Sequence, residues 1–348
     1  MPSTAAMTIE ERIAPTTATG VADAVRAAHA TRTPVYPVGG GTALDYGIAP
    51  LLRGNELDLT GLAKIVDYTP RDMTIVVEAG VRMAELAAVL AVEGQQLPID
   101  VPRSSQATIG GVVATNWNGP RRFGYGTIRD YVIGIHAVDG RGVAFKGGGR
   151  VVKNVAGYDF CKLLTGSLGA LAVITQLALK LKPRPEHNVT VAAACRHVAG
   201  AEEILARLAK LAAPPAAIDL VIGGDWQVPV LHSSAKSASR ADACVPLIIV
   251  RLEGTELETT WLADHVVREI SQGGASAVCQ LEPAVAEDLW SKQVEFADSG
   301  AGLASAASPL AIKIAVPPNT VTQIINDLLA FDSDCAIQAH AASGIIYA

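Results

Sequence analysis

The chain has 348 residues, half of them hydrophobic and 18% charged, with a formal net charge of −6. That length exceeds one ordinary core of about 100–200 residues and suits two domains, while the apolar content excludes a disordered chain. The acidic balance excludes general nucleic-acid binding as the expected role. The opening stretch carries Glu10, Glu11 and Arg12 with no continuous apolar block, unlike an export signal, so a cytoplasmic protein is expected. Apolar runs such as 168–179 are broken by Gly169, Thr175 and Gln176, so no transmembrane helix is expected. Cys161, Cys195, Cys244, Cys279 and Cys335 are far apart and form no C-x-x-C pair, and the seven histidines are equally scattered. Buried thiols in a reducing compartment fit this pattern, and no metal site built from one local motif is expected.

In chain order, Val21, Ala24, Val25 and Ala28 have helical spacing, Pro34 stops that helix, and Val35 to Val38 form a short strand. Lys64 to Tyr68 and Met73 to Ala79 read as the next strands, bounded by Pro70 and Gly80. Met83, Leu86, Ala87 and Leu90 predict a helix over 82–93, with Gly94 where a left-handed residue is wanted. Tyr131 to Val138 and Gly142 to Lys146 flank Asp139-Gly140, which predicts a hairpin with a two-residue turn. Leu171 to Lys182 reads as a strand ending at Pro183 and Pro185, which suit a domain boundary, giving domains 1–185 and 186–348. Beyond it, strand-helix-strand patterns recur near 189–222, 246–279 and 310–337, the texture of an α+β domain, with Ser233 to Ala243 as a loop.

Three glycine-containing segments stand out. Gly39-Gly40-Gly41-Thr42-Ala43-Leu44 follows a strand, and such a turn lets backbone N–H groups approach an anion. The Lys-Ser/Thr of a P-loop is absent, and Leu44 stands where a dinucleotide fingerprint wants its last glycine or alanine. The second segment, 100–119, sets Ser104, Ser105, Thr108, Thr115 and Asn116 among Gly110, Gly111 and Gly119, a pattern suited to a flat, extended cofactor. The third runs from Gly147 through Lys153-Asn154-Val155-Ala156-Gly157-Tyr158-Asp159 to Gly166-Ser-Leu-Gly169 and Ile174. Between Val101 and Tyr158 eight basic residues face only Asp130 and Asp139, which points to a local anion site within an acidic chain.

Together these segments resemble the FAD domain of the vanillyl-alcohol oxidase and p-cresol methylhydroxylase superfamily, over roughly the first half of the chain. The run 152–159 and the overall length are most similar to the FAD-binding subunits of bacterial glycolate oxidases. The resemblance implies an α+β fold: a two-subdomain FAD-binding domain of the p-cresol methylhydroxylase type followed by a ferredoxin-like cap or subunit-contact domain. It implies that Gly39, Gly40, Gly41, Thr42 and Ala43 wrap the FAD pyrophosphate, and that Pro102, Ser105, Thr108, Gly110, Gly111, Ala114, Thr115, Asn116 and Gly119 line the ribityl chain and isoalloxazine. Gly166, Gly169 and Ile174 would contact the FAD from the other side. Some relatives attach flavin through a histidine beside the glycine triplet; no histidine or cysteine occurs from Thr31 to Gly61, so noncovalent FAD is expected.

The resemblance further implies oxidation of glycolate, a small 2-hydroxy acid, within a complex that holds a catalytic FAD subunit and an iron–sulfur subunit, with membrane association only through those partners. Catalytic relatives share a late histidine-rich motif, which here is reduced to Gln338-Ala-His340-Ala-Ala-Ser-Gly344. His340 is therefore read as a surface or packing residue, and no catalytic residue is assigned. Two alternatives stay open: a self-sufficient FAD-dependent 2-hydroxy-acid dehydrogenase, and a non-catalytic subunit that holds flavin for assembly. A cell-wall sugar-nucleotide reductase of the same fold ranks last.

Overall fold

The computed structural model describes residues 8–44, 46, 50–149, 158–223, 226, 228, 245–299 and 310–348. The run 152–157 of the third glycine segment, Arg150, the 233–243 loop and Cys244 lie outside the described residues. The chain folds as two compact units, Met1–Asn118 with Thr127–Arg184, and Gly119–Gly126 with Pro185–Ala348.

The first unit opens with β1 (Ile9–Ile13), α1 (Ala18–Thr31), β2 (Val35–Val38) and β3 (Gly54–Asp58), whose strands form a parallel sheet in the order β1-β3-β2. Helix α1 starts where Thr17 accepts a hydrogen bond from the Gly20 amide at 3.1 Å and ends at left-handed Arg32, before Pro34. Its Val21, Ala22 and Val25 pack with Leu57 and Leu62 into one core. β1 was not legible in the sequence: its exposed centre is Glu10-Glu11-Arg12, and Arg12 pairs across to Glu56 at 3.1 Å and Asp58 at 2.7 Å.

A second subdomain follows with β4 (Ile65–Thr69), β5 (Thr74–Glu78), α2 (Met83–Val92), β6 (Gln95–Gln96) and α3 (Ile109–Thr115). Then come α4 (Arg122–Tyr125), which belongs to the second unit, α5 (Ile128–Tyr131), β7 (Val132–Asp139), β8 (Ala144–Gly148), α6 (Phe160–Leu164), β9 (Ala172–Lys180) and β10 (Lys182–Pro183). The antiparallel order is β4-β5-β9-β7-β8, with β6 and β10 paired apart. The hairpin at Asp139 exists, but its turn differs from the two-residue form. Asp139 N donates to Val143 O across a three-residue loop, and Gly142, not Gly140, takes positive φ (77°). The Asp139 carboxylate accepts from the amides of Arg141 and Val143, which favours the longer loop.

The second unit contains β11 (His187–Ala194), α7 (Val198–Leu208), β12 (Ala217–Ile222), β13 (Leu247–Gly254), α8 (Glu256–Gln272) and β14 (Ala277–Gln280). Their sheet order, β14-β11-β13-β12, is the 4-1-3-2 arrangement of a ferredoxin-like β-α-β-β-α-β unit. The sheet continues through β15 (Lys313–Ala315), β16 (Ile337–His340) and β17 (Ile345–Tyr347), adding β16-β17-β15 beside β12. Helices α7, α8 and α10 (Val321–Phe331) cover one face with an apolar core that includes Ile204, Val266 and Ile325. The other face packs on α9 (Pro283–Ser299) through Leu289 and Phe296. This helix escaped sequence reading, although Ala286, Leu289, Trp290 and Phe296 have helical spacing and are all buried.

Candidate cofactor-binding site

Strand β2 ends at buried Val38 and delivers the chain into Gly39–Ala43, the floor of a cleft of about 240 Å³ in the first unit. The amides of Gly39, Gly40, Gly41, Thr42 and Ala43 donate to no acceptor among the described residues. Five successive donors left open in a turn form a concavity suited to an anion. Among the described residues no charged side chain lines the cleft.

The three loop glycines do different work. An added Cβ at Gly40 would overlap the Gln106 carbonyl, and one at Gly39 would overlap the Thr108 hydroxyl. These two positions are glycine because the loop is pressed against residues 106–108 of the protein itself. Gly41 differs: it takes φ 70°, and a Cβ there would meet only Leu44 Cδ1 at 3.8 Å. Gly110 again packs against protein, with Ala79 O at 2.8 Å from an added Cβ, whereas Gly111 is open apart from Thr108 Oγ1 at 3.3 Å. Thr108 caps α3, its hydroxyl accepting from the Gly111 amide at 3.4 Å.

Of the residues singled out in the sequence, Gly39, Gly40, Gly41, Thr42, Ala43, Pro102, Thr108, Gly110, Gly111, Ala114, Thr115, Gly169 and Ile174 line this one cleft. Ser105, Asn116, Gly119 and Gly166 do not. Ser105 is exposed, and Asn116 turns left-handed to end α3 (φ 51°), its carbonyl accepting from Asn118 at 2.7 Å. Gly166 has φ 82° and donates to Val113 O, a turn function, and Gly119 belongs to the second unit. The sequence reading missed Tyr36, Tyr46, Leu59, Val101, Trp117 and Leu168. Tyr46 and Trp117 meet edge to face at 5.9 Å, a contact between residues far apart in the chain that no local pattern announces.

None of the described basic residues of the window lines this cleft. Arg141 pairs with Asp139 at 3.0 Å, and in the second unit Arg121 pairs with buried Glu253 at 3.6 Å. Arg103 alone among the described members of the window reaches the glycine loop, donating to Thr42 O.

His340, expected at the surface or in packing, is buried and partnered. Its Nδ1 lies 2.9 Å from Asp219, which also accepts from Gln293 at 2.7 Å and Gln338 at 3.0 Å. Asp219 is fully buried, so this cluster joins β12, β16 and α9 in the interior of the second unit. Among the described residues no group of three His, Cys, Asp or Glu is placed to hold a metal ion. No described helix is long and apolar enough to cross a membrane.

Residues 10–148, most of them in the first unit, match the family described as FAD binding domain. The chain is 39% identical over 139 residues to glycolate oxidase subunit GlcE of Escherichia coli (strain K12), covering 40% of each protein. It is 30% identical over 233 residues to glycolate oxidase subunit GlcD of Bacillus subtilis (strain 168), covering 65% of this chain and 50% of that one. To the mitochondrial D-lactate dehydrogenase [cytochrome] of Arabidopsis thaliana it is 27% identical, covering 90% of this chain and 55% of the relative. These matches span about half the length of those relatives or less. Among solved structures, an alkyldihydroxyacetonephosphate synthase superposes with a TM-score of 0.75 at 19% identity, covering 97% of this chain and 69% of that one. p-Cresol methylhydroxylase does so with 0.73 at 15%, covering 97% and 74%. The fold is thus the mixed α+β fold of those structures.

Proposed function

We propose that this chain is the FAD-binding subunit of a complex that oxidises glycolate or a similar 2-hydroxy acid, with its FAD held noncovalently. The observation that carries the reading is the run of amides from Gly39 to Ala43 that meet no acceptor among the described residues at the floor of the cleft. A diphosphate satisfies such amides, and the apolar wall of Leu59, Val101, Val112 and Ile174 suits a flavin ring. Bound FAD would supply hydride-accepting chemistry. Gly41, Thr42 and Ala43 would hold its diphosphate, and Gly111, Thr115 and Gly169 would border the rest. Among the described residues no histidine or cysteine lines the cleft, which supports noncovalent attachment.

The subunit assignment is supported by the similarity to two differently named glycolate oxidase subunits; on this reading its partners are a catalytic flavin subunit and an iron–sulfur subunit. His340 bonded to buried Asp219 is consistent with a chain that does not itself bind the hydroxy acid there. A second reading, a self-sufficient dehydrogenase, is favoured by the similarity to a D-lactate dehydrogenase over 90% of this chain. One experiment separates them. Acid precipitation of the purified protein should release the flavin into solution, and anaerobic glycolate or D-lactate should leave the flavin of the isolated chain oxidised until partner subunits are added. Bleaching of the isolated chain would favour the dehydrogenase, and absence of any bound flavin would remove both readings.

A further inference from the structure

We infer that Arg103 is a positioning residue for the FAD diphosphate: its guanidinium fixes the direction in which the glycine loop presents its amides. The inference rests on the FAD reading of the cleft. Arg103 Nη2 donates to the Thr42 carbonyl, from a segment 61 residues along the chain. The peptide joining Thr42 to Ala43 is trans, so its C=O and N–H point in opposite directions. A carbonyl held by Arg103 therefore turns the Ala43 N–H away from the guanidinium, and that amide is one of the five with no acceptor among the described residues.

The backbone of Arg103 is consistent with a side-chain role. It sits at φ 46°, a left-handed conformation that glycine takes without strain and other residues take only under strain. Its own carbonyl accepts from the amides of Gln106 and Ala107, both at 2.8 Å, closing the turn that leads into Thr108. That turn presents the Gln106 carbonyl to Gly40. Arg103 thus secures the loop through its side chain while its backbone shapes the surface on which Gly40 rests.

Arg103→Gly removes the guanidinium and relieves the strained backbone, so the two roles move in opposite directions. The full-length apoprotein should melt at the same temperature as the wild type or higher, while FAD affinity, read by quenching of flavin fluorescence, should fall about tenfold, the size of one charge-assisted hydrogen bond. Arg103→Lys keeps a cationic donor and should stay within about threefold of the wild type. The inference is overturned if Arg103→Gly binds FAD as the wild type does, if its loss of affinity follows a lower melting temperature, or if Lys rescues nothing. A wild-type protein that binds no FAD would instead overturn the reading of the cleft itself, which the same titration shows first.

Discussion

Asp58 at the end of β3 shows how single residues hold the first unit. Burial opposes its ionisation, but bonds from the Thr60 amide (2.9 Å), the Thr60 hydroxyl (2.6 Å) and Arg12 (2.7 Å) outweigh that and hold its carboxyl below the ordinary range. A carboxyl depressed in the folded state contributes stability above its unfolded pKa of about 3.9, and loses it as pH falls through the folded value. Asp58→Asn should therefore cost about 1–2 kcal/mol at pH 7 and progressively less towards about pH 3, read by denaturant unfolding at each pH. A cost that stays constant over that range would contradict the account. The cysteines behave differently: burial raises Cys161 and Cys195 to about 11 each. Both thiols should resist a thiol-specific reagent at about pH 8 in the folded protein and react once it is unfolded.

Among the elements, the loop after β2 and the 103–108 turn work as an interlocked pair, and the glycines of the cleft separate by what lies opposite. Gly40→Ala presses a methyl into the Gln106 backbone, which has no rotamer to yield, and should destabilise the protein by about 2 kcal/mol or more. Gly111→Ala lies within α3 with only the Thr108 hydroxyl nearby, so the helical backbone should gain about 0.5–1 kcal/mol while FAD affinity drops. Equal stability losses in the two variants, measured by denaturant unfolding, would show that the loops do not interlock as described. In the second unit, Asp219→Ala leaves Gln293, Gln338 and His340 without their shared acceptor inside the fold. The expected cost is about 3–5 kcal/mol, with Asp219→Asn milder because one acceptor oxygen remains. An Asp219→Ala melting curve close to that of the wild type would refute the cluster's structural role.

At the scale of the whole molecule, a cofactor that binds only the folded chain shifts its unfolding by mass action. FAD at about 100 times its dissociation constant should add about 2.7 kcal/mol and raise the melting temperature with concentration, and a melting temperature indifferent to FAD would count against the cleft. Much of the architecture was legible beforehand because its causes are local. Val21 to Ala28 repeat at helical spacing, Pro34 and Gly94 end helices, and strand-helix-strand patterns recur through the second half; each expresses backbone geometry within a few residues. The motif glycines were legible too, although not the reason for each. The sequence alone determined the types of many elements, the α+β class and a glycine loop after β2. Only the tertiary structure decided that β1, with charges along its exposed face, pairs with β3, that Gly40 answers to Gln106, that Arg103 reaches Thr42, and that His340 meets Asp219 across 121 residues. The physical reason is that hydrogen bonds and steric contacts between distant segments leave no period or spacing in the chain; they exist once the sheets have set the register that brings those segments together.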